Sequence, residues 1–231
     1  QANYPAQDYA ATPITYTISG NTGIAGVTLS YTNGTPQTVT SNASGDYSFI
    51  VPYFWSGSVT PALPGYTFTP VDRSYVDTQA DQTAQDYTAQ AISITGTISM
   101  QGRSYRGGVP VTLTGLANGP YQATSIDALS GNLVFPLVIA DTYTFTTLQP
   151  RYLNVSSALA KTFTVTAARS IASLELKGGN AVWSDDVINI QDAAMVGAAY
   201  GASSDNNADV NFDGTINILD LALVGGNIYL S

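Results

Sequence analysis

Hydrophobic and polar residues alternate in short stretches through most of the first 180 residues. Tyr16 and Ile18 alternate with Thr and Ser, and Val27 and Leu29 do the same one stretch later. A period of two is typical of a β-strand with one buried face. Asn33-Gly34 lies between two such stretches, and both residues accept the positive φ angles of a tight hairpin. The pattern predicts short antiparallel strands at a spacing typical of a β-sandwich.

The chain contains two copies of one unit. Residues 6–11 and 84–89 share the sequence Ala-Gln-Asp-Tyr, and each is followed by a strand pattern. Further on, Gly-Asp-Tyr-Ser-Phe at 45–49 corresponds to Gly-Asn-Leu-Val-Phe at 131–135. Because a missed repeat would misassign the whole fold, these matches set the predicted boundaries. We expect one β-sandwich in residues 13–90 and a second, carrying an insertion, in residues 91–179.

The first copy carries five short motifs, which are Tyr-Thr-Ile-Ser-Gly, Gly-Val-Thr-Leu-Ser, Gly-Asp-Tyr-Ser-Phe, Trp-Ser-Gly and Gly-Tyr-Thr-Phe at residues 16–20, 26–30, 45–49, 55–57 and 65–68. With these motifs it resembles the carboxypeptidase-regulatory-like, or transthyretin-like, repeats of bacterial surface proteins. The second copy is more divergent and lacks the Trp-Ser-Gly segment. The resemblance implies seven-stranded Ig-like sandwiches in tandem and a spacer, stalk or adhesive role.

Related collagen-adhesin domains often carry a Lys–Asn isopeptide bond. The only lysines here are Lys161 and Lys177, both late in the second copy. The resemblance therefore implies no such crosslink in the first sandwich.

Residues 1–12 match the end of a repeat whose other strands are missing. One interpretation is a leftover linker, because a chain that starts at Gln1 is expected to be a processed form or an excerpt. The other is an unpaired strand that pairs with a neighbouring copy. Strand donation of this kind would build an open filament.

The C-terminal part contains a predicted calcium loop. Its oxygen-bearing residues occupy positions 1, 3, 5, 9 and 12 of an EF-hand spacing, with Gly214 at position 6 and the Thr215 carbonyl at position 7. With no His or Cys in the chain, oxygen ligands favour Ca²⁺. The predicted ligands are Asp209, Asn211, Asp213, Thr215, Asn217 and Asp220.

A sister motif lies 28 residues upstream and ends at Asp192. Counted back from Asp192, positions 1 and 3 are Ala181 and Trp183, which offer no side-chain oxygen. A loop one residue longer brings Asn180 into position 1. Asp186 replaces the glycine, and aspartate enters the left-handed region more readily than most residues. The ligands of this poorer, second calcium site are Asn180, Asp185, Val187, Asn189 and Asp192.

The pair of loop–helix units resembles a type I dockerin over residues 180–231. The resemblance implies a small α-helical domain with two calcium loops that docks onto a cohesin β-sandwich. The recognition positions depart from the cellulosomal pattern, since they hold Ile190-Gln191 and Ile218-Leu219 in place of a hydroxyl pair. A cellulosomal cohesin is therefore a doubtful partner, and packing on a nearby sandwich is the alternative.

Composition narrows the function further. The chain has no Cys, no His, one Glu and a net charge of −9, so common catalytic sets are absent and nucleic acid is a poor partner. No apolar run reaches the length of a membrane helix. We expect a non-catalytic, extracellular stalk, adhesin or filament protein whose partners are copies of itself or a surface scaffold. The alternatives are a cohesin-docking adaptor and a carbohydrate-binding module that uses Tyr53-Phe54-Trp55.

Overall fold

Eight strands form the first β-sandwich of the computed structural model. The model describes residues 11–104, 107–124, 129–147, 149–153, 162–171, 173–182, 184–203 and 206–229, and it divides into two units, residues 1–90 and 91–231. The strands are β1 Thr15–Asn21, β2 Thr28–Asn33, β3 Thr35–Thr40, β4 Asp46–Pro52, β5 Trp55–Ala62, β6 Tyr66–Thr69, β7 Arg73–Thr78 and β8 Thr88–Ala91.

Antiparallel sheets enclose the core of the first sandwich. One sheet has the order β3-β2-β5-β7, β4 pairs with β1, and β6 pairs with β8. Along β4 the residues alternate between exposed and buried, as the period of two predicts. All three sheets contribute to a single hydrophobic cluster, which contains Ile18, Val27, Leu29, Tyr47, Phe49, Val51, Trp55, Val59, Phe68, Tyr75 and Tyr87.

The repeated Ala-Gln-Asp-Tyr segment closes this sandwich. The backbones of Gln82, Gln85 and Tyr87 exchange hydrogen bonds of 2.8–3.0 Å with β1. The bridge between Ile18 and Gln82 is parallel, so β1 lies between an antiparallel and a parallel neighbour. The first copy of the motif, at residues 6–9, lies outside the described residues, as do Lys161 and Trp183.

The described residues of the second unit form ten strands and two helices. The strands are β9 Ile94–Met100, β10 Pro110–Gly115, β11 Tyr121–Thr124, β12 Asn132–Phe135, β13 Asp141–Thr146, β14 Arg151–Tyr152, β15 Phe163–Val165, β16 Arg169–Ser170, β17 Leu174–Leu176 and β18 Gly178–Asn180. The helices are α1 Ile190–Ala198 and α2 Ile218–Asn227. Neither described helix is long and apolar enough to cross a membrane.

The second sandwich is mainly antiparallel but contains parallel pairs. Its sheets run β11-β10-β13-β15 and β12-β9-β16, while β14 pairs with β18. Strands β16 and β17 both run parallel to β9. The prediction of mainly β, antiparallel architecture is confirmed, and the parallel pairs are the exception to it. They arise because strands from the end of the second sandwich lie beside its first strand and run in the same direction.

A third hydrophobic cluster lies around α1 and α2. It contains Leu153, Ala181, Ile188, Val196, Ala208, Val210, Ile216 and Val224. Leu153 comes from the second sandwich, and its backbone N–H donates to the Lys177 carbonyl over 2.9 Å. The segment 180–231 thus has its own core but belongs to the same unit as residues 91–179.

Asp141 at the start of β13 organises a turn and gives the fold a pH dependence. The backbone N–H groups of Ala117, Thr142 and Asn118 donate to its carboxylate and hold its pKa below the usual range. A carboxyl whose folded pKa is depressed stabilises the protein at neutral pH, and this contribution is lost as the pH falls through that pKa. We expect Asp141→Asn to lower the urea midpoint at pH 7, and the difference from the parent to shrink near pH 3. A constant difference would contradict this.

Candidate metal centre

The second loop folds around the carboxylate of Asp209. This side chain is 1% exposed, and its two oxygens accept the backbone N–H groups of Asp213 and Gly214, each over 3.1 Å. Gly214 has φ of 83°, a conformation that glycine adopts without strain. The side-chain oxygens of Asn211 and Asp213 accept the N–H groups two residues ahead. Because oxygen-bearing side chains occupy every second position from 209 to 213, they accept the backbone N–H groups of their own loop and hold it in a tight turn.

Asp220 joins the loop to α2. Its carboxylate is fully buried and accepts the N–H groups of Asn211 and Asn217 over 3.2 and 2.9 Å. Asn217 is the N-cap of the helix, and its side chain accepts the N–H of Leu219 over 2.7 Å. This capping box satisfies helix N–H groups that lack intrahelical partners. Asn217 and Asp220 are thus predicted ligands that also cap the start of α2.

The first loop repeats this arrangement. Asp192 is fully buried and accepts the N–H groups of Val182 and Asn189 over 2.7 and 2.8 Å. Asn189 caps α1 as Asn217 caps α2. Asp186 has φ of 51°, in the left-handed region that the sequence predicts for it. The two loop–helix units are therefore equivalent in backbone hydrogen bonding.

The hydrogen bonds of Asp192 and Asp220 fix the register between the loops. Val182 takes the place of Asn211, which is 29 residues away, whereas the two aspartates are 28 apart. The first loop therefore has one more residue than the second between its third position and the aspartate that closes it. Counted in this register, Asn180 corresponds to Asp209. Asn180 is 1% exposed and its Oδ1 has no hydrogen-bond partner. A buried oxygen without a partner is costly, and a bound cation would satisfy it.

The donor chemistry of the two loops differs. The second loop offers carboxylates, amide oxygens and the Thr215 carbonyl, a set that suits a hard cation. The first loop has Val182 at the third position, so it lacks one oxygen. In the first loop, Asp185 accepts the Val187 N–H and the Asn189 side-chain amide over 3.2 and 3.3 Å. In the part of the chain that the structure describes, no three His, Cys, Asp or Glu side chains converge on a metal position, so an ion would also need amide and carbonyl oxygens.

Phe212 attaches the second loop to the sandwich. The guanidinium carbons of Arg103 and Arg151 lie 4.2 and 4.1 Å from the centre of its ring, and Tyr152 stacks at 6.2 Å. Arg151 also donates to the Asp209 carbonyl over 3.0 Å. Burial raises the pKa of Tyr152 to about 12, so its hydroxyl is a neutral donor to the Gln101 carbonyl. The backbone of a predicted calcium ligand is thus held directly by the second sandwich.

An open groove of about 570 Å³ lies beside this contact. Arg103 and Ser104 line one part of it, and the loop from Asp209 to Gly214 lines the rest. Arg103 lies in the insertion of the second copy. Its cation–π contact with Phe212 places it at the junction with the metal loop. Neither Arg151 nor Phe212 has a sequence signature that identifies this contact.

Two adjacent glycines let α2 approach the sandwich closely. A Cβ on Gly179, whose φ is 115°, would lie 3.0 Å from the Val224 Cα, and one on Gly178 would lie 2.9 Å from the Leu223 Cδ2. Asn227 from the end of α2 donates to the Gly178 carbonyl over 2.8 Å and also to the Gln101 side chain. The Gly-Gly pair in the sequence was the one signal of this junction.

We expect Gly179→Ala to destabilise residues 91–231. Alanine is strained at this φ and meets helix backbone, which together cost about 2–3 kcal/mol. Gly225→Ala is the matched control: its Cβ meets nothing within 4 Å, and alanine in a helix is favoured over glycine by about 0.5–1 kcal/mol. Urea unfolding of both variants measures the difference. Equal effects would show that the close approach has no energetic consequence.

Trp55 is a core residue, so the sugar-platform interpretation of Tyr53-Phe54-Trp55 is wrong for its third member. It is 6% exposed, donates from Nε1 to the Thr32 carbonyl over 2.9 Å, and packs against Tyr31 and Tyr75. Trp55 therefore belongs to the hydrophobic cluster of the first sandwich. Tyr53 and Phe54 remain exposed.

Trp55→Ala is expected to lower the free energy of unfolding of the first sandwich by about 3–5 kcal/mol, because it leaves a large cavity and an unpaired carbonyl. Phe54→Ala is the neighbouring control, since an exposed ring contributes little to packing. Chemical unfolding followed by tyrosine circular dichroism reports both. A loss below about 1 kcal/mol for Trp55→Ala would contradict the core assignment.

Comparison with known proteins gives structural neighbours only. No family model matches the sequence, and no curated protein matches it either. A chain from a type II cohesin–X-dockerin complex of Acetivibrio cellulolyticus is 20% identical, with a TM-score of 0.48, over 60% of this chain and 96% of that one. A minor pilin of Streptococcus agalactiae is 10% identical, with a TM-score of 0.39, over 71% and 96%. The major pilin of Streptococcus pyogenes is 9% identical, with a TM-score of 0.39, over 72% of this chain and 98% of that one.

Proposed function

We propose that this chain is a non-catalytic extracellular structural protein, a stalk, adhesin or filament module of a cell surface, with a calcium-stabilised dockerin-like module at residues 180–231. The observation that carries the proposal is the pair of equivalent loop–helix units, each closed by one fully buried aspartate. The absence of His and Cys from the sequence leaves few routes to catalysis.

We propose that calcium binding contributes to the free energy of folding of this module. The residues that would hold it are Asp209, Asn211, Asp213, the Thr215 carbonyl, Asn217 and Asp220. Bound there, the cation supplies positive charge that offsets the mutual repulsion of the loop carboxylates. The first loop is proposed as a second site of lower affinity, because Asn180, Asp185, Val187, Asn189 and Asp192 include one side-chain oxygen fewer.

Isothermal titration of the chelator-treated full chain with CaCl₂ tests this proposal. We expect one site of high affinity that is lost in Asp209→Ala and kept in Asp72→Asn, which removes an exposed aspartate of the first sandwich. A second, weaker phase should vanish in Asp185→Ala. No heat of binding at millimolar calcium, or equal loss in the control, would contradict the proposal.

Filament formation by strand donation is part of the same proposal. In the first sandwich the Ala-Gln-Asp-Tyr segment pairs alongside β1, and its Gln85 backbone lies 2.5 Å from where a Cβ on Gly20 would be. Residues 6–9 carry the same sequence and would take that place in a neighbouring copy by exchange. Negative-stain microscopy of native material should show fibres. Monodisperse single particles at high concentration would contradict donation.

A second candidate function is docking onto a cohesin-type scaffold. Ile190 and Ile218, at equivalent positions of the two units, are 68% and 62% exposed, and Leu219 is 59% exposed. Exposed apolar residues at symmetric positions suit a protein partner. Co-elution with a cohesin β-sandwich, lost in Ile218→Asp, would favour this adaptor role over a filament.

A further inference from the structure

Two exposed aromatic residues and a half-buried one form a cluster at one end of the first sandwich. Tyr53 and Phe54, in the turn between β4 and β5, are 42% and 51% exposed, and their ring centres lie 4.0 Å apart at 53°. Tyr16 on β1 lies 6.3 Å from Tyr53. We call these three residues the aromatic platform. Tyr53 and Phe54 offer accessible ring faces, whereas Tyr16 is half-buried and packs against the core beside them.

The backbone holds the platform rigidly. Tyr53 donates its N–H to the Ile14 carbonyl over 3.0 Å, and Phe54 donates to the Thr78 carbonyl over 2.9 Å. Phe54 has φ of 60°, a left-handed conformation that is strained for a bulky residue. Glycine would be the ordinary choice there. Strain at an exposed ring brings no packing gain, which points to a role outside the fold.

The second copy of the repeat shows that the fold does not require the platform. By the register of the paired strands, the platform positions correspond to Ile92, Ile139 and Ala140 in the second copy. None of these residues is aromatic. Ile92 is buried, at 3% exposure. The exposed rings are therefore a property of the first copy alone.

Hydrogen-bonding groups lie on the strand next to the platform. Asp77 precedes Thr78, is exposed, and has φ of 47°. Ser56 Oγ donates to the Asp77 carboxylate over 3.3 Å and accepts the Asp77 N–H over 2.8 Å. The pairing of β5 with β7 is irregular between Trp55 and Gly57, and bulges of this kind often turn side chains toward a ligand. Asp77 also lines an open groove of about 400 Å³.

We propose that the aromatic platform, together with Asp77 and Ser56, binds a neutral pyranose glycan. The apolar C–H face of a pyranose stacks on aromatic rings, and its hydroxyls pair with a carboxylate and a serine hydroxyl. Residues 13–90 contain five aspartates and a single basic residue, Arg73, so acidic glycans are repelled. This site is separate from the calcium loops and does not rest on them.

The test is binding of the full chain to a neutral glycan array and to cellulose, xylan and chitin. Tyr53→Ala and Asp77→Asn are expected to weaken retention at least tenfold. Phe54→Gly should abolish binding and raise the urea midpoint of the first sandwich, because glycine removes the strain. Tyr229→Ala is the matched control, since Tyr229 is an exposed aromatic with φ of 67° in the C-terminal module. It should leave binding unchanged, as should chelation of calcium.

The proposal is overturned if no neutral glycan is retained, or if the platform variants bind as the parent does. It is also overturned if Tyr53→Ala abolishes self-association of the chain while glycan binding is absent, because the platform would then be a protein-docking surface. Loss of binding on chelation would place the glycan site in the metal loops and would equally contradict the assignment.

Discussion

Removing calcium is expected to melt residues 91–231 as one unit while the first sandwich remains folded. The boundary that the sequence predicts at residue 180 would confine the melting to residues 180–231. The structure changes this expectation, because Arg151 holds the Asp209 carbonyl and Phe212 packs between sandwich side chains. A metal that stabilises the loop therefore also stabilises the sandwich to which the loop is attached.

The expected size follows from mass action. At free calcium about 100-fold above the dissociation constant, binding adds about 2.7 kcal/mol, which corresponds to roughly 5–10 °C in Tm for a unit of this size. Scanning calorimetry should show two transitions, of which chelation lowers only one. Hydrogen exchange identifies which residues unfold in each transition. Asp209→Ala is the control, because this variant is expected not to bind calcium in the second loop. A chelation effect confined to residues 180–231, with residues 91–179 unchanged, would show that the junction does not transmit the metal's stabilisation.

The second large effect is expected at the two buried aspartates. In chelator, Asp220→Ala leaves the N–H groups of Asn211 and Asn217 without their acceptor, and Asp192→Ala does the same to Val182 and Asn189. Each loss of two charge-assisted hydrogen bonds should cost about 3 kcal/mol.

Asp213→Ala separates this structural role from metal binding. Asp213 is exposed, and its carboxylate accepts the Thr215 N–H and an amide of Asn211. In chelator its loss should cost less than about 1 kcal/mol, whereas in calcium it should remove most of the metal's stabilisation. Urea unfolding with and without calcium measures both. If Asp213→Ala and Asp220→Ala were equally damaging in chelator, the buried capping role would be wrong.

The parts of this molecule that the sequence predicts are those set by local chemistry. The alternation in β4, the Asn33-Gly34 hairpin and the left-handed Asp186 all depend on residues within a few positions of one another. The 28-residue offset likewise located both loop–helix units, and each helix begins at a capping box, which is a four-residue pattern.

The features that the sequence did not predict depend on distant contacts. The parallel pairing of β9 with β16 and β17 follows from which chain ends meet in the closed sandwich. The contact between Arg151 and Asp209 joins residues 58 positions apart and has no local pattern. The aromatic run was ambiguous for the same reason, since only the packed fold separates buried Trp55 from exposed Phe54.

The most direct test of the calcium account is an experimental structure of the full chain grown at millimolar CaCl₂, with anomalous scattering used to locate the ion. We predict a calcium ion in the second loop, bound by Asp209, Asp213, the Thr215 carbonyl and Asp220. Phe212 should remain against Arg151 in that structure. A well-ordered second loop with no ion at this calcium concentration would contradict the account.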